Sequence, residues 1–127
     1  PFSENSFDCI TSSFAFRHLR KNLNTVLKEI HRVVKPQGKI MILEFSKPKL
    51  LFLRLGYYLY LRIFIPLLGI IIFGLKKINY FLYFKDTIIN FFEPNELVER
   101  LRNGGFEQVK YIPLSGGIVG IYTGIRI

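Results

Sequence analysis

Hydrophobic positions arrive in a fixed order from the start of the chain. Phe7 to Ser12 (FDCITS) is a short apolar run after the polar, turn-like SENS, and it predicts a buried strand. Asn22 to Val34 then places Leu23, Val26, Leu27, Ile30, Val33 and Val34 at i, i+3, i+4, i+7 spacing, which predicts a helix with one buried face. Asn22 or Asn24 is its expected N-cap. Lys35-Pro36-Gln37-Gly38 should stop it, because Pro36 disfavours helix at the residue before it and Gly38 tolerates a left-handed turn. Lys39 to Phe45 (KIMILEF) follows, a near-continuous apolar run that suits a parallel strand covered on both faces.

The middle of the chain is the most apolar part. Arg54 and Arg62 interrupt Leu50 to Leu75, and Ile63 to Leu75 (IFIPLLGIIIFGL) is thirteen residues without a charge. A spanning helix needs about twenty apolar residues, a length reached here only by including Arg62. Pro66 should also kink the helix. The expected element is a buried or interfacial helix over an apolar pocket, in preference to a transmembrane one. Asn79 to Asn90, rich in Tyr and Phe, is expected to be helical. Glu93-Pro94-Asn95-Glu96 opens another helix, with acids in the first turn where the dipole favours them, and Gly104-Gly105 closes it. Phe106 to Leu114 and Ile118 to Ile125 read as two strands around Ser115-Gly116-Gly117, close enough in sequence to be antiparallel.

Strand, helix, turn and second strand form the later part of a nucleotide-type α/β domain. Such folds hold their cofactor on a glycine-rich turn after the first strand. None precedes Phe7, and the chain, which opens at Pro1, is expected to be a piece of a longer enzyme.

Charge modifies this picture. The 127 residues carry a net charge of +9. Fourteen Lys or Arg and two acids lie between Arg17 and Lys85, so that region alone holds +12 and coincides with the apolar stretch. Basic charge among Leu, Ile, Phe and Tyr suits an anionic membrane surface better than a duplex, although phosphates of RNA or DNA attract the same charge. Cys9, the single cysteine, sits in a strand pattern and is expected to be a buried small hydrophobe. His18 and His31 have no Cys or carboxylate at ligand spacing, so no metal site is expected. There is no nucleophile elbow and no P-loop.

Ligands of open α/β sheets sit at the carboxyl ends of parallel strands. Ser12, Ser13, Phe14 and Arg17 hold that place after the first strand, and Glu44 to Lys47 after the second. A hydroxyl such as Ser13 could bond a cofactor. An arginine in a partly apolar crevice could orient an anionic oxygen or polarise water. A turn-capping serine and a surface arginine fit these positions equally well.

PFSENSFDCITSSFAFR, EIHRVVKPQGKIMILEFSKP, GYYLYLRIFIPLLG and LSGGIVGI together resemble the ubiquinone/menaquinone biosynthesis C-methyltransferase family, over nearly the whole chain. LEFSKP combined with the late SGGIV is the specific part. The resemblance implies an α/β fold: residues 1–127 as the C-terminal half of a class I S-adenosylmethionine-dependent methyltransferase, a Rossmann-like sheet with helices on both faces and an antiparallel last strand. Residues 50–90 would be its basic, apolar lid. It implies S-adenosylmethionine as cofactor, with Ser13 helping to bind it, and Arg17 as the catalytic residue beside the quinone ring. Tyr60, Pro66 and Gly69 would belong to the substrate-pocket helix. The implied substrate is a polyprenyl benzoquinol or naphthoquinol. The implied setting is peripheral, on the cytoplasmic face of a bacterial inner membrane or the matrix side of the mitochondrial one. Other enzymes of quinone biosynthesis are implied partners, and nucleic acid is not.

Three departures from the family pattern stand out. His18 replaces an Asn, Gln37 replaces a turn glycine, and Leu75 to Ile78 (LKKI) replaces an acidic loop. Two other readings stay open: a methyltransferase fold with a small-molecule or RNA substrate, and a truncated piece, inactive alone, that only binds a membrane surface.

Overall fold

A computed structural model describes all of residues 1–127. The elements are β1 (Phe7–Ser13), α1 (Leu23–Val33), β2 (Val34–Phe45), α2 (Leu51–Leu59), α3 (Ile65–Phe73), α4 (Ile78–Ile89), α5 (Pro94–Asn103), β3 (Phe106–Leu114) and β4 (Val119–Arg126). The four strands make one sheet in the order β1-β2-β4-β3. β1 and β2 are parallel, and β4 runs antiparallel to both β2 and β3. α1 supplies the crossover that a parallel pair requires.

The Lys35–Gly38 turn survives as a bulge inside β2. Phe7 pairs with Val34 but Cys9 already pairs with Lys39, so β2 loops out between them. The left-handed residue there is Gln37, with φ 64°, and not Gly38. Gly38 serves a different need: a Cβ on it would stand 2.5 Å from Val34 Cγ1 and 2.8 Å from the Lys35 carbonyl. Asn22 does occupy the N-cap position of α1, without a side-chain capping bond, after a 3-10 turn over Phe16–Asn22.

Alternation along β2 separates two faces. Ile40, Ile42 and Glu44 are buried, while Met41 between them is 45% exposed. The buried face joins Leu23 and Leu27 of α1, Leu97 and Leu101 of α5, Phe106 and Tyr122 in the main core. The opposite face is covered only at the carboxyl end of β2, where Phe45 meets Tyr57, Leu61, Phe84 and Ile88. Coverage on both faces was expected, and within this chain it is absent along most of β2. Cys9 shares the open face with Lys39 and Met41, so it is exposed and the expectation of burial fails.

α2 and α3 form one continuous helix, Leu51–Phe73, joined by a π turn over Tyr60–Phe64. Pro66 explains the turn. It has no N–H, and its ring would strike the carbonyl four residues back in a regular α-helix. The Ile65 N–H instead bonds the Tyr60 carbonyl, five residues back, and Pro66 falls in the first turn of α3, where proline fits. By length and composition, at 23 residues and a mean hydropathy of 1.9, this helix could cross a membrane. One stripe of it, Tyr57, Leu61, Pro66 and Gly69, is buried against the rest of the chain.

Candidate functional site

The carboxyl ends of β1 and β2 hold a buried ion pair. Glu44 is fully buried at the end of β2, and Arg17 reaches it from the 3-10 turn after β1, Nη1 to Oε1 at 3.2 Å. Glu44 accepts twice more, from the backbone N–H of Arg17 at Oε2 and of Phe45 at Oε1. Arg17 Nη1 also donates to the Phe14 carbonyl at 2.6 Å. The guanidinium lies 5.2 Å from the Phe45 ring centroid and 5.7 Å from that of Phe84, within cation–π range. Its Nε–H is buried and has no partner. The turn that delivers Arg17 contains Phe14 at φ 55°, a left-handed residue held by its N–H bond to the Leu43 carbonyl. Backbone strain of this kind collects at ligand sites.

An apolar cavity of about 920 Å³ adjoins the pair. Phe45 and Phe84, the rings against which the Arg17 guanidinium rests, line it, the helix Leu51–Phe73 forms its long wall, and Ser115, Gly116 and Ile118 close one end. The two most specific motif segments meet here. The Ser46 N–H donates to the Ile118 carbonyl at 2.8 Å, and a Cβ on Gly117 would lie 3.1 Å from Pro48. Ser115, Gly116 and Gly117 all take positive φ, which packs this loop tightly under the KP segment. Ser46 is buried and shares a 2.8 Å hydrogen bond with the Tyr111 hydroxyl, fixing β3 to the end of β2.

The predicted residues do not all converge. Arg17 is at the pair. Tyr60 lines the cavity. Pro66 and Gly69 do not line it; they are buried where α3 meets the rest of the chain, and a Cβ on Gly69 would stand 2.5 Å from the Phe81 ring. Ser13 is exposed at the end of β1, next to the left-handed Phe14. An exposed hydroxyl there fits a hydrogen bond to a cofactor at the sheet's carboxyl edge. His18 Nδ1 stands 2.8 Å from the Tyr83 hydroxyl and ties the Arg17 turn to α4. No cluster of His, Cys, Asp or Glu suits a metal ion.

Sequence reading missed one residue of the site, Tyr57, and one pairing, that of Glu44. Glu44 was visible as a strand-end carboxylate, but its partner lies 27 residues away, a pairing no local spacing encodes. Tyr57 is 8% exposed and lines the cavity, and its hydroxyl is buried without a partner. Burial pushes this phenol up to about 12.

The helix also fastens to the domain through charge. Arg54 pairs with Glu93, which Lys47 approaches at 3.6 Å. Arg54 and Arg62 flank the Tyr58 ring at 5.6 and 5.7 Å, so these two arginines lie along one stripe with the ring between them.

Known proteins match this chain end to end. A ubiquinone/menaquinone biosynthesis C-methyltransferase of Rickettsia felis is 41% identical over 127 residues, all of this chain and 50% of its own length. A demethylmenaquinone methyltransferase of Oceanobacillus iheyensis is 35% identical over 126 residues, 99% of this chain and 52% of its own. The chain thus spans about half the length of these curated relatives. A SAM-dependent methyltransferase of Thermotoga maritima superposes with a TM-score of 0.67 at 19% identity, covering 100% of this chain and 59% of that one, which shows a shared fold. The sequence model of the ubiE/COQ5 methyltransferase family matches residues 1–126, and the chain belongs to that family.

Proposed function

We propose that the chain is the substrate-side half of an enzyme that methylates a ring carbon of a polyprenyl benzoquinol or naphthoquinol with S-adenosylmethionine. The observation that carries this reading is a 920 Å³ cavity, almost wholly apolar, set against a buried arginine–carboxylate pair. A ligand with a long hydrocarbon tail and an oxygenated ring matches both parts.

Bound S-adenosylmethionine supplies an electrophilic methyl group. Ser13 contributes a hydrogen bond at the rim. Glu44 holds Arg17 in place, and the Arg17 guanidinium orients a ring oxygen and steadies the negative charge that makes the ring carbon nucleophilic. When that carbon has taken the methyl group, its hydrogen leaves as a proton to solvent and the oxygen regains its charge. Phe45, Tyr60 and Phe84 keep water from the ring and from the start of the tail. Alignment and exclusion of water account for most of what such a site must do.

Residues of the long helix outside the cavity lining, including Ile63, Phe64, Leu67, Ile71 and Ile72, are exposed. Because another stripe packs on the domain, we place this helix in the plane of the membrane surface, where it draws the quinol from the bilayer. The enzyme would then work peripherally, on the cytoplasmic face of a bacterial inner membrane or the matrix side of a mitochondrial one, near other enzymes of quinone biosynthesis.

The test is complementation. The complete reading frame containing this chain is expressed in a bacterium that lacks its own quinol C-methyltransferase, and extracted quinones are weighed by mass spectrometry. Restored methylated quinone supports the reading, and Arg17→Ala should abolish most of it while the protein accumulates normally. Continued build-up of the demethyl quinone with normal protein levels would count against it.

A further inference from the structure

We infer that Tyr57 and Arg17 form a two-donor site for one ring oxygen of the substrate, and that Tyr57 makes the cavity select an oxygenated ring over a bare hydrocarbon. This rests on the quinol reading above and assigns a residue that neither the motifs nor the family match singles out.

Four buried side-chain polar atoms lack a partner: Arg17 Nε, Tyr57 Oη, Tyr122 Oη and Arg126 Nε. Tyr122 belongs to the main core, and Arg126 lies where β4 meets Asn5 and Val34. The other two belong to the same corner. Tyr57 belongs to the small buried cluster, with Leu61 and Ile88, against which Phe45 and Phe84 pack, and these are the two rings on which the Arg17 guanidinium rests. Tyr57 also lies close enough to feel the charges of both Arg17 and Glu44.

Both orphan groups can donate a hydrogen. Glu44, the natural acceptor, already takes three bonds, and none comes from the Tyr57 hydroxyl or from Arg17 Nε. A buried donor left unpaired costs about 1–3 kcal/mol, so two in one corner favour a ligand that brings an acceptor. A phenolic oxygen is such an acceptor. With a cation and a neutral hydroxyl both donating to it, its anionic form is favoured. That form pushes electron density onto the ring carbons ortho and para to the oxygen, the positions at which a methyl group can be added. The raised Tyr57 phenol keeps its own proton throughout the working range and so remains a donor. A site of this design rejects a ligand that lacks the oxygen, because the donors would again be buried unpaired.

The experiment measures binding of two probes to the full chain in detergent micelles: geranylhydroquinone and geranylbenzene, alike in shape but not in oxygen. The wild type should prefer geranylhydroquinone by about tenfold or more. Tyr57→Phe should lose most of that preference through weaker hydroquinone binding, with geranylbenzene affinity unchanged. Tyr80→Phe, on an exposed tyrosine outside the cavity, should keep it. A Tyr57→Phe chain that retains the wild-type ratio overturns the role of Tyr57 and leaves the quinol reading standing. A wild type that binds neither probe overturns both. Should Tyr57→Phe unfold, the wild type alone decides: the phenol of ring-labelled geranylhydroquinone, followed by carbon NMR, should ionise at a lower pH when bound than in micelles. An unchanged ionisation pH overturns the site.

Discussion

Gln37 holds a left-handed backbone, φ 64°, where glycine would sit without strain. A non-glycine residue there costs about 1–2 kcal/mol, partly offset by the extra freedom glycine has in the unfolded chain. Gln37→Gly should therefore stabilise the chain by about 0.5–1 kcal/mol, seen as a higher denaturant midpoint. A lower midpoint would show that the Gln37 side chain contributes more than its backbone costs. Tyrosine ionisation gives a second expectation. Burial raises the Tyr57 phenol from near 10 to about 12, and raises Tyr122 further. The folded state thus holds protons that the unfolded state has released once the pH passes 10. The stability these groups contribute is intact below pH 10 and falls as the pH climbs through 12. Denaturant midpoints should be flat with respect to these phenols up to pH 10 and then decline, and Tyr57→Phe should soften the decline. An equal slope in wild type and variant would refute the assignment. Residue-scale roles were the least legible in the sequence. An aromatic at helical spacing reads as core, and only the missing partner of its hydroxyl sets Tyr57 apart.

Elements were more legible, because period and punctuation are local signals. Strands β1, β3 and β4 and helices α1, α4 and α5 fall within two residues of their expected bounds. The exceptions have specific causes. The start of β2 was hidden by a proline and a glycine that form a bulge and not a loop. Pro66 announced a kink, and the helix answered with a π turn. Two glycines of this long helix illustrate how packing overrides composition. A Cβ on Gly56 meets nothing within 4 Å, whereas one on Gly69 meets the Phe81 ring at 2.5 to 2.8 Å. Gly56→Ala should raise stability by up to about 1 kcal/mol through helix propensity. Gly69→Val should lower it by about 1–3 kcal/mol by forcing α3 from α4. Thermal melts of the two variants should shift in opposite directions, and equal shifts would mean that α3 and α4 are not held at Gly69.

At the scale of the molecule, charge and apolar surface coincide. Lys49, Arg62, Lys76 and Lys77 have no acidic partner, and they border the exposed stripe of the long helix. Each such cation near an anionic leaflet is worth about 1 kcal/mol. Lys76→Glu with Lys77→Glu should weaken sedimentation with anionic vesicles about tenfold or more, with little change on neutral ones. Unaltered sedimentation would remove these lysines from membrane contact. The sequence disclosed that this region is both basic and apolar. It could not disclose which stripe of the helix faces outward, since almost every position is apolar and only the fold chooses among them.

The two ends of the sheet are unlike each other. β3 carries a bulge at Gln108, Pro113 and the charges of Glu107 and Lys110, all of which discourage a further strand. β1 is a regular seven-residue strand with Asp8 as its one charge and no proline. Its outer row of amide and carbonyl groups is a template with a vacancy on one side only. Any extension of this sheet, by another stretch of polypeptide or by unwanted self-association at high concentration, has a built-in direction: it proceeds outward from β1 and stops at β3.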